Sequence, residues 1–401
     1  ELTDAILVAS FNPKVKNVVM MSLPRDLYVK SPKIISQRIN SIYENHYRKL
    51  GTQEAMQILT ETASQIVGFE IPYYIKINFN FLQELIDELG GIEIYNPELL
   101  YDPYYPGPNY SFQTFKLAKG LQTIDGATAL KYARSRKTSS DFARSKRQQE
   151  IILATKNQAL KAQILTNPAK LKKVLKIVEK NLNTNLTIDN LITLGLKAKG
   201  LSQQDMRNLV LTNDFSRVGG FLYTPPREQY NNAYVLKSAD ETYSQIHLYF
   251  LINKIYFHTM QYLGEIEIQN GTYTSGLAGK LQQVLKRFGI ASSTANAEKR
   301  PVQNTTLKHY DLVGSDTLTV LKSILNIEDI QEIKPEDPEL GIKTQIILGK
   351  DFENKIQELD SFVNFYDIIF QAEKYIPQTA TGSDPNSNLG AANQEESNIE
   401  N

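Results

Sequence analysis

Two short apolar runs stand near the start of the chain. They occupy residues 5–10 and 18–23, and the turn-forming tripeptide Asn12-Pro13-Lys14 lies between them. Short apolar runs bounded by Asn and Pro are typical of buried strands. The pattern therefore predicts two sequential strands joined by a tight turn or hairpin.

Longer segments carry apolar residues at helical spacing. The spacing predicts a helix over 52–67, with Thr52 as its N-cap, and a second helix over 78–89 that ends at Gly90. Strand signals lie between these helices, and such alternation is typical of an α/β domain. Three more helices are predicted further on, over 144–166, 171–181 and 188–199.

Residues 96–114 show neither pattern and are rich in Pro, Tyr, Gly and Asn. Such a composition indicates a long surface loop of the kind that carries function. Its exposed tyrosines are either candidates for stacking on sugar rings or simply surface residues. They are Tyr101, Tyr104, Tyr105 and Tyr110.

Two arginines stand close together after a short predicted helix over 125–130. Arg134 and Arg136 are two residues apart in what we interpret as a strand end, so their side chains should point to one face. Guanidinium groups bind phosphate in a planar, bidentate way. The pair therefore predicts a contact with a phosphorylated ligand.

The next helix adds more groups of the same kind. Asp141 opens it, Arg144 and Gln148 share a face, and Arg147 lies beside them. Arginines converging from two elements favour a polyanionic ligand, above all a diphosphate. The alternative is a solvated basic face with ion pairs to Asp141 and Glu150.

The ends of the first two strands supply further candidates. Ser22-Leu23-Pro24-Arg25-Asp26 closes the second strand, and α/β sheets place ligand sites at strand carboxyl ends. Asp4 stands at the head of the first strand, and Mg²⁺ is usually held by carboxylates together with substrate phosphates. The alternatives are an Arg25–Asp26 ion pair and a turn role for Asp4.

The remaining chain predicts a second unit and a tail. The unit spans 264–350, and the tail over 376–401 has too few apolar residues to fold, so we expect it to be disordered. The strand, helix, strand, helix and strand of the unit are predicted over 266–268, 276–289, 306–312, 315–325 and 343–348.

Composition excludes several classes of protein. The 401 residues contain 44 basic and 44 acidic side chains, so no overall positive field attracts nucleic acid. The chain has no cysteine, which excludes disulfides, a thiolate nucleophile and cysteine-based zinc sites. No apolar run is long enough for a membrane helix. Any anion site must therefore be local.

Several short motifs follow one another in a recognisable order. They are Thr3-Asp4, Ser22 to Asp26, Ile39-Asn40, Gly120-Leu121 with Asp125-Gly126, and the run from Tyr132 to Gln149. In order and spacing they resemble the LytR-CpsA-Psr (LCP) family over residues 1–255. The unit over 264–350 looks like the LytR C-terminal domain.

The resemblance implies a fold and an activity. The fold would be a three-layer α-β-α domain with a central mixed sheet, followed by a small α/β module and the disordered tail. The activity would be that of an extracytoplasmic, membrane-anchored, Mg²⁺-dependent phosphotransferase. Such an enzyme moves a glycopolymer, for example teichoic acid or capsule, from a polyprenyl-diphosphate carrier to a cell-wall acceptor, commonly the peptidoglycan glycan.

The resemblance also implies roles for individual residues. Asp4 would bind Mg²⁺, directly or through water, and Asp26 or Asp141 would accept the proton of the attacking hydroxyl. Arg147 would be the weakest member of the diphosphate site, because Lys146-Arg147 can face water. The diphosphate ligands would be Arg25, Arg134, Arg136, Arg144, Arg147 and Gln148.

The family pattern places a second acidic metal ligand and a single-pass membrane anchor before Glu1, so we expect both in a preceding segment. Two other functions compete with this interpretation. One is a non-catalytic envelope protein that binds polyprenyl phosphate or glycan. The other is a nucleic-acid-binding transcriptional regulator, against which the neutral net charge and the lack of a DNA-reading motif count.

Overall fold

A computed structural model describes most of the chain. The described residues are 2–3, 5–31, 34–135, 141–164, 166–264, 266–309, 315–326, 331–333 and 344–358. Of the predicted site residues, Asp4, Arg136 and the side chain of Asp141 lie outside this set, as does the tail over 376–401.

Strands and helices alternate along the described chain. The strands are β1 (Ile6–Asn12), β2 (Asn17–Leu23), β3 (Tyr28–Ser31), β4 (Ile34–Arg38), β5 (Ile75–Ile77), β6 (Ile92–Asn96), β7 (Leu100–Pro106), β8 (Phe112–Leu117), β9 (Gly120–Ile124), β10 (Leu182–Thr184), β11 (Met206–Val210), β12 (Leu222–Tyr223), β13 (Lys237–Ser238), β14 (Ile266–Asn270), β15 (Ser292–Asn296), β16 (Thr306–His309), β17 (Gln331–Ile333) and β18 (Thr344–Leu348). The helices are α1 (Ile39–Leu50), α2 (Thr52–Val67), α3 (Phe79–Glu88), α4 (Gly126–Arg134), α5 (Asp141–Lys161), α6 (Pro168–Asn181), α7 (Ile188–Ala198), α8 (Ser244–Ile255), α9 (Phe257–Tyr262), α10 (Leu277–Arg287), α11 (Ser315–Leu325) and α12 (Phe352–Glu358).

The first two strands form the predicted hairpin. β1 and β2 pair antiparallel from Ile6↔Leu23 to Asn12↔Asn17, and β11 adds to β2 in parallel. The resulting mixed sheet has the order β1-β2-β11. β2 is almost wholly buried, which explains its continuous apolar run. The α/β class is therefore confirmed, although the other strands of the N-terminal part pair two by two.

The helix predictions are largely confirmed. α2 covers the predicted range, but Gly51 rather than Thr52 is its N-cap, so that detail was wrong. Asn78 caps α3 by accepting a hydrogen bond from the Phe81 N–H at 2.8 Å. In both helices the apolar spacing decided the element, and the cap only refined where it begins.

The predicted loop over 96–114 is instead largely a hairpin. β7 and β8 pair antiparallel from Leu100↔Leu117 to Pro106↔Phe112, with a register shift between Asp102 and Tyr105. Pro103 lies inside that shift, where a residue without an N–H group is tolerated. Loop-forming residues thus occupy the irregular point and the tip of a hairpin.

The predicted strand end at Arg134 is also wrong. Arg134 is the last residue of α4, whose N-cap Asp125 accepts a hydrogen bond from the Thr128 N–H at 2.8 Å. The intervening Ala and Leu residues are strong helix formers, so the helix continues to the first arginine. The side chain of Arg134 is consequently set by helical geometry.

A single buried cluster contains side chains from both the N-terminal part and the C-terminal sheet. The ring of Phe288, which follows α10, lies 5.0 Å from that of Phe221 and 6.2 Å from that of Tyr249. The Gly219 N–H donates to the Arg287 carbonyl at 2.8 Å. The C-terminal sheet, of order β15-β14-β18-β16-β17, is therefore packed against the N-terminal part.

A smaller cluster is formed by residues of the β6–β9 strand pair, the β7–β8 hairpin and the helices α3, α4 and α5. Within the ranges that the structure describes, no helix combines the length and the apolar character needed to cross a bilayer.

Candidate active site

The described residues form a cleft at one edge of the β1-β2-β11 sheet. Because β2 and β11 are parallel, their carboxyl ends lie at the same edge, and antiparallel β1 begins there. This is the position at which α/β sheets place their ligand sites. The lining residues are Ala5, Ile6, Ser22, Leu23, Pro24, Arg25, Arg144, Gln148, Val210 and Leu211.

The first turns of α5 supply the opposite wall. Arg144 and Gln148 are four residues apart on one helical face, and both line the cleft. Arg144 is buried, and the helix N-terminus beside it adds a positive partial charge. The sequence prediction that these two side chains act together is compatible with this geometry.

Arg25 reaches the same cleft and is held by a carboxylate. Its Nε donates to Asp26 Oδ2 at 3.2 Å, while Nη1 of Arg38 donates to Asp26 Oδ1 at 3.3 Å. Asp26 is buried, and both of its oxygens accept from guanidinium groups. The ion pair that was weighed against a catalytic role is thus present, and Asp26 orients two arginines.

The sequence reasoning gave no role to two residues around the cleft, Arg38 and Gln149. Arg38 binds Asp26, and Gln149 Nε2 donates to Ser22 Oγ at 3.2 Å with both side chains buried. The signal available for Arg38 was its positive charge, opposite to that of Asp26, and its position directly before the Ile39-Asn40 motif. Gln149 had no such signal, because its partner is distant in sequence.

Two other predicted arginines, Arg134 and Arg147, make contacts away from the lining of the cleft. The guanidinium carbon of Arg134 lies 4.4 Å from the centre of the Phe79 ring. Arg147 is 7% exposed and donates through Nε to the Tyr132 carbonyl at 3.0 Å. The interpretation that Arg147 faces water is therefore wrong, and neither residue is among the described cleft-lining residues.

Burial shifts the pKa values of two neighbouring side chains, Arg147 and Tyr132. Removal of Arg147 from water lowers its pKa, an effect opposed by Tyr132, Glu150 and Asp102. Burial also raises the pKa of Tyr132, whose hydroxyl donates to Glu150 Oε2 at 2.9 Å. Tyr132 is therefore a neutral donor at physiological pH.

The described residues do not contain a group of three or more clustered His, Cys, Asp or Glu side chains. Asn40 is 3% exposed, however, and its Oδ1 has no hydrogen-bond partner among them. The backbone carbonyl of Asn40 accepts a hydrogen bond from the Thr3 N–H at 3.0 Å, which joins the start of α1 to residue 3. An amide oxygen is a ligand type that suits Mg²⁺.

The side chains that line the cleft make it positively charged. Its described lining contains two arginines and no acidic side chain. Arginine forks, a glutamine amide and a helix N-terminus are the groups that bind phosphate oxygens. The arrangement can hold a phosphorylated ligand and stabilise negative charge that develops on it.

Comparison with protein families gives two matches. Residues 1–246 match the model of the LytR_cpsA_psr family. Residues 265–352 match the model described as LytR cell envelope-related transcriptional attenuator.

Individual relatives are similar over about half of the chain. A polyisoprenyl-teichoic acid–peptidoglycan teichoic acid transferase TagU of Bacillus subtilis is 28% identical over 222 residues, which are 55% of this chain and 66% of the relative. The protein of the same name from Bacillus licheniformis is 30% identical over 223 residues, again 55% and 66%. The chain thus spans just under two thirds of the length of these relatives. The crystal structure of Bacillus subtilis TagV aligns with a TM-score of 0.47 and 23% identity over 63% of this chain and 89% of that one.

Proposed function

The chain belongs to the LytR-CpsA-Psr family, and we propose that it is a phosphotransferase that moves a glycopolymer from a polyprenyl-diphosphate carrier to a cell-wall hydroxyl group. The observation that supports this most directly is the meeting of Arg25, Arg144 and Gln148 at one cleft. The names of its relatives suggest teichoic acid as the class of cargo and peptidoglycan as the acceptor.

The proposed reaction is a displacement at phosphorus. The acceptor oxygen forms a bond to the sugar-proximal phosphorus, and the bond from that phosphorus to the bridging oxygen breaks. Polyprenyl phosphate leaves with the electron pair. Arg25 and Arg144 would hold the diphosphate and neutralise the charge that grows on the leaving phosphate.

The proton of the acceptor hydroxyl passes to a carboxylate. Asp26 and Asp141 are the two candidates from the sequence. Both oxygens of Asp26 already accept from arginines, which favours an orienting role for it. Asp141 opens the helix that carries Arg144, so its position along the chain suits a base near the cleft.

Magnesium is part of the same proposal. Asp4 would hold the ion, and Oδ1 of Asn40 is a second oxygen suited to it. When bound, the ion would supply positive charge to the diphosphate oxygens. Because the proposed donor is a membrane lipid and the proposed acceptor lies in the cell wall, we place the protein at the extracytoplasmic face of the membrane, and we propose no nucleic-acid partner for it.

The test uses full-length protein and a short polyprenyl-diphosphate-linked saccharide, with released polyprenyl phosphate measured by mass spectrometry. Arg144→Ala and Arg25→Ala should each reduce transfer by about 100-fold or more, as loss of one charge-stabilising donor does. Arg48→Ala is the matched control. The side chain of Arg48 is 79% exposed and forms a helix-surface ion pair with Glu44, so its loss should have little effect.

The outcomes separate the competing functions. If the Arg144→Ala variant keeps its fold by circular dichroism and transfers the saccharide at the wild-type rate, the site assignment is refuted. Binding of the donor without release of polyprenyl phosphate would identify a non-catalytic envelope protein. Tight binding of duplex DNA with a steep salt dependence would instead favour the regulator.

A further inference from the structure

The residue that follows Arg134 is held more firmly than its sequence suggests. Ser135 is fully buried and continues α4 in an extended conformation. Its Oγ donates to Oδ2 of Asp102 at 2.8 Å. Asp102 lies on β7, in the hairpin that the sequence predicted to be a loop, and it is 2% exposed.

Arg147 also binds the end of α4. Arg147 on α5 donates through Nη2 to the Ser135 carbonyl and through Nε to the Tyr132 carbonyl. These carbonyls lie at the C-terminus of α4, where the last carbonyl groups of a helix have no donor within the helix. A buried cation at a helix C-terminus is also favoured by the helix dipole.

The same helical turn reaches the cleft. Gln148 lines the cleft and also donates to the Ala133 carbonyl at 3.4 Å, while Arg144 lies one turn earlier on α5. Arg147, which binds the end of α4, and the cleft-lining Arg144 and Gln148 therefore all lie within two turns of the same helix, α5. Any movement of the end of α4 relative to α5 would therefore disturb the hydrogen bond that Gln148 makes to Ala133 and displace a cleft-lining side chain.

Asp102 completes this arrangement from outside the two helices. Its Oδ1 accepts from the Tyr104 N–H at 3.2 Å, so the local irregularity of β7 holds the carboxylate in place. A buried carboxylate and a buried guanidinium are expensive to desolvate, and apolar residues would pack as well. Their presence is better explained by the defined position that they impose on the backbone.

We propose that Asp102 is a positioning residue of the anion site: through Ser135, and together with Arg147, it fixes the end of α4 against the part of α5 that carries Arg144 and Gln148. Asp102 does not touch the ligand. The proposal deepens the proposed function and rests on it only in taking a diphosphate as the ligand.

The test combines binding and hydrogen exchange. Inorganic pyrophosphate is titrated calorimetrically into full-length wild type, Asp102→Ala, Ser135→Ala and the double variant. Each single variant should bind about tenfold more weakly, the equivalent of one buried hydrogen bond. The double variant should lose no more than the worse single one, because the two groups act as a unit.

Two further variants distinguish a positioning role of Asp102 from a general loss of stability. Asn96→Ala removes another buried polar group near the hairpin. The Nδ2 of Asn96 donates to the Leu117 carbonyl at 3.0 Å and to the Ala118 carbonyl at 2.9 Å, and neither of these residues belongs to α4. This variant should lower stability without weakening pyrophosphate binding. Asp102→Asn keeps an oxygen for Ser135 and should restore most of the affinity. In transfer assays Asp102→Ala should raise KM more than it lowers kcat.

Backbone amide exchange at residues 132–135 provides a readout that needs no ligand. It should accelerate in Asp102→Ala and stay unchanged in Asn96→Ala. Unchanged exchange in Asp102→Ala, or equal loss of affinity in Asn96→Ala, would overturn the positioning role. Failure of the wild type to bind pyrophosphate would count against the proposed function, while the exchange data would still decide the role of Asp102.

Discussion

Gly219 connects the cleft wall to helix α10 through its hydrogen bond to Arg287, and its replacement by alanine is the sharpest test of that connection. Its φ is +77°, and a Cβ there would lie 1.9 Å from the carbonyl oxygen of Val210, a cleft-lining residue. The obstacle is backbone, so no side-chain rotation can relieve it. Gly276 has the same φ of +77°, but a Cβ there would meet nothing within 4 Å.

The magnitude follows from this comparison. Both alanine variants bear the left-handed backbone strain, about 1–2 kcal/mol. Gly219→Ala must in addition move the end of β11, and such overpacking costs about 1–3 kcal/mol. We therefore expect Gly219→Ala to lose about 1–3 kcal/mol more unfolding free energy than Gly276→Ala.

Urea unfolding followed by far-ultraviolet circular dichroism measures the difference, since the chain has no tryptophan for fluorescence. A shift of Val210 should also weaken pyrophosphate binding in Gly219→Ala and leave it unchanged in Gly276→Ala. Equal unfolding midpoints for the two variants would refute the reasoning, because they would mean that the close approach costs nothing.

Two further predictions concern pH and a helix cap. Burial lowers the pKa of His247 below its ordinary 6.5, so the unfolded chain takes up a proton first and the protein loses stability as pH falls below about 6.5. Thermal midpoints should therefore drop more for wild type than for His247→Gln between about pH 7.5 and 5.5, and parallel curves would contradict this. Asp125→Ala should cost about 1 kcal/mol in urea unfolding by removing the cap of α4. Asp125→Asn, which keeps an accepting oxygen, should lose much less, and an equal loss in both would show that capping is not the cause.

The elements predicted best were those decided by local pattern. The helix over 52–67 was found from its apolar spacing, and the hairpin of β1 and β2 from two apolar runs around Asn12-Pro13. The hairpin of β7 and β8 was missed because its pairing joins Leu100 to Leu117, and no local spacing encodes a partner at that distance.

The site divides in the same way. Arg25, Arg144 and Gln148 were predicted to bind phosphate from their residue types, and the structure places all three at one cleft. Gln149 lies 127 residues from its partner Ser22, and Asp102 lies 33 residues from Ser135. Residue type alone marks neither of them as part of a site.

The sequence by itself determined to which family the chain is similar, and it predicted a set of residues for binding a diphosphate. It did so because guanidinium chemistry and motif order are properties of the chain before it folds. Only the tertiary structure decided that Arg147 faces inward, that Asp26 binds Arg25 and Arg38, and that Asp102 holds Ser135. The reason is physical: burial and hydrogen-bond partners arise from contacts between distant segments, and those contacts exist only once the core has formed.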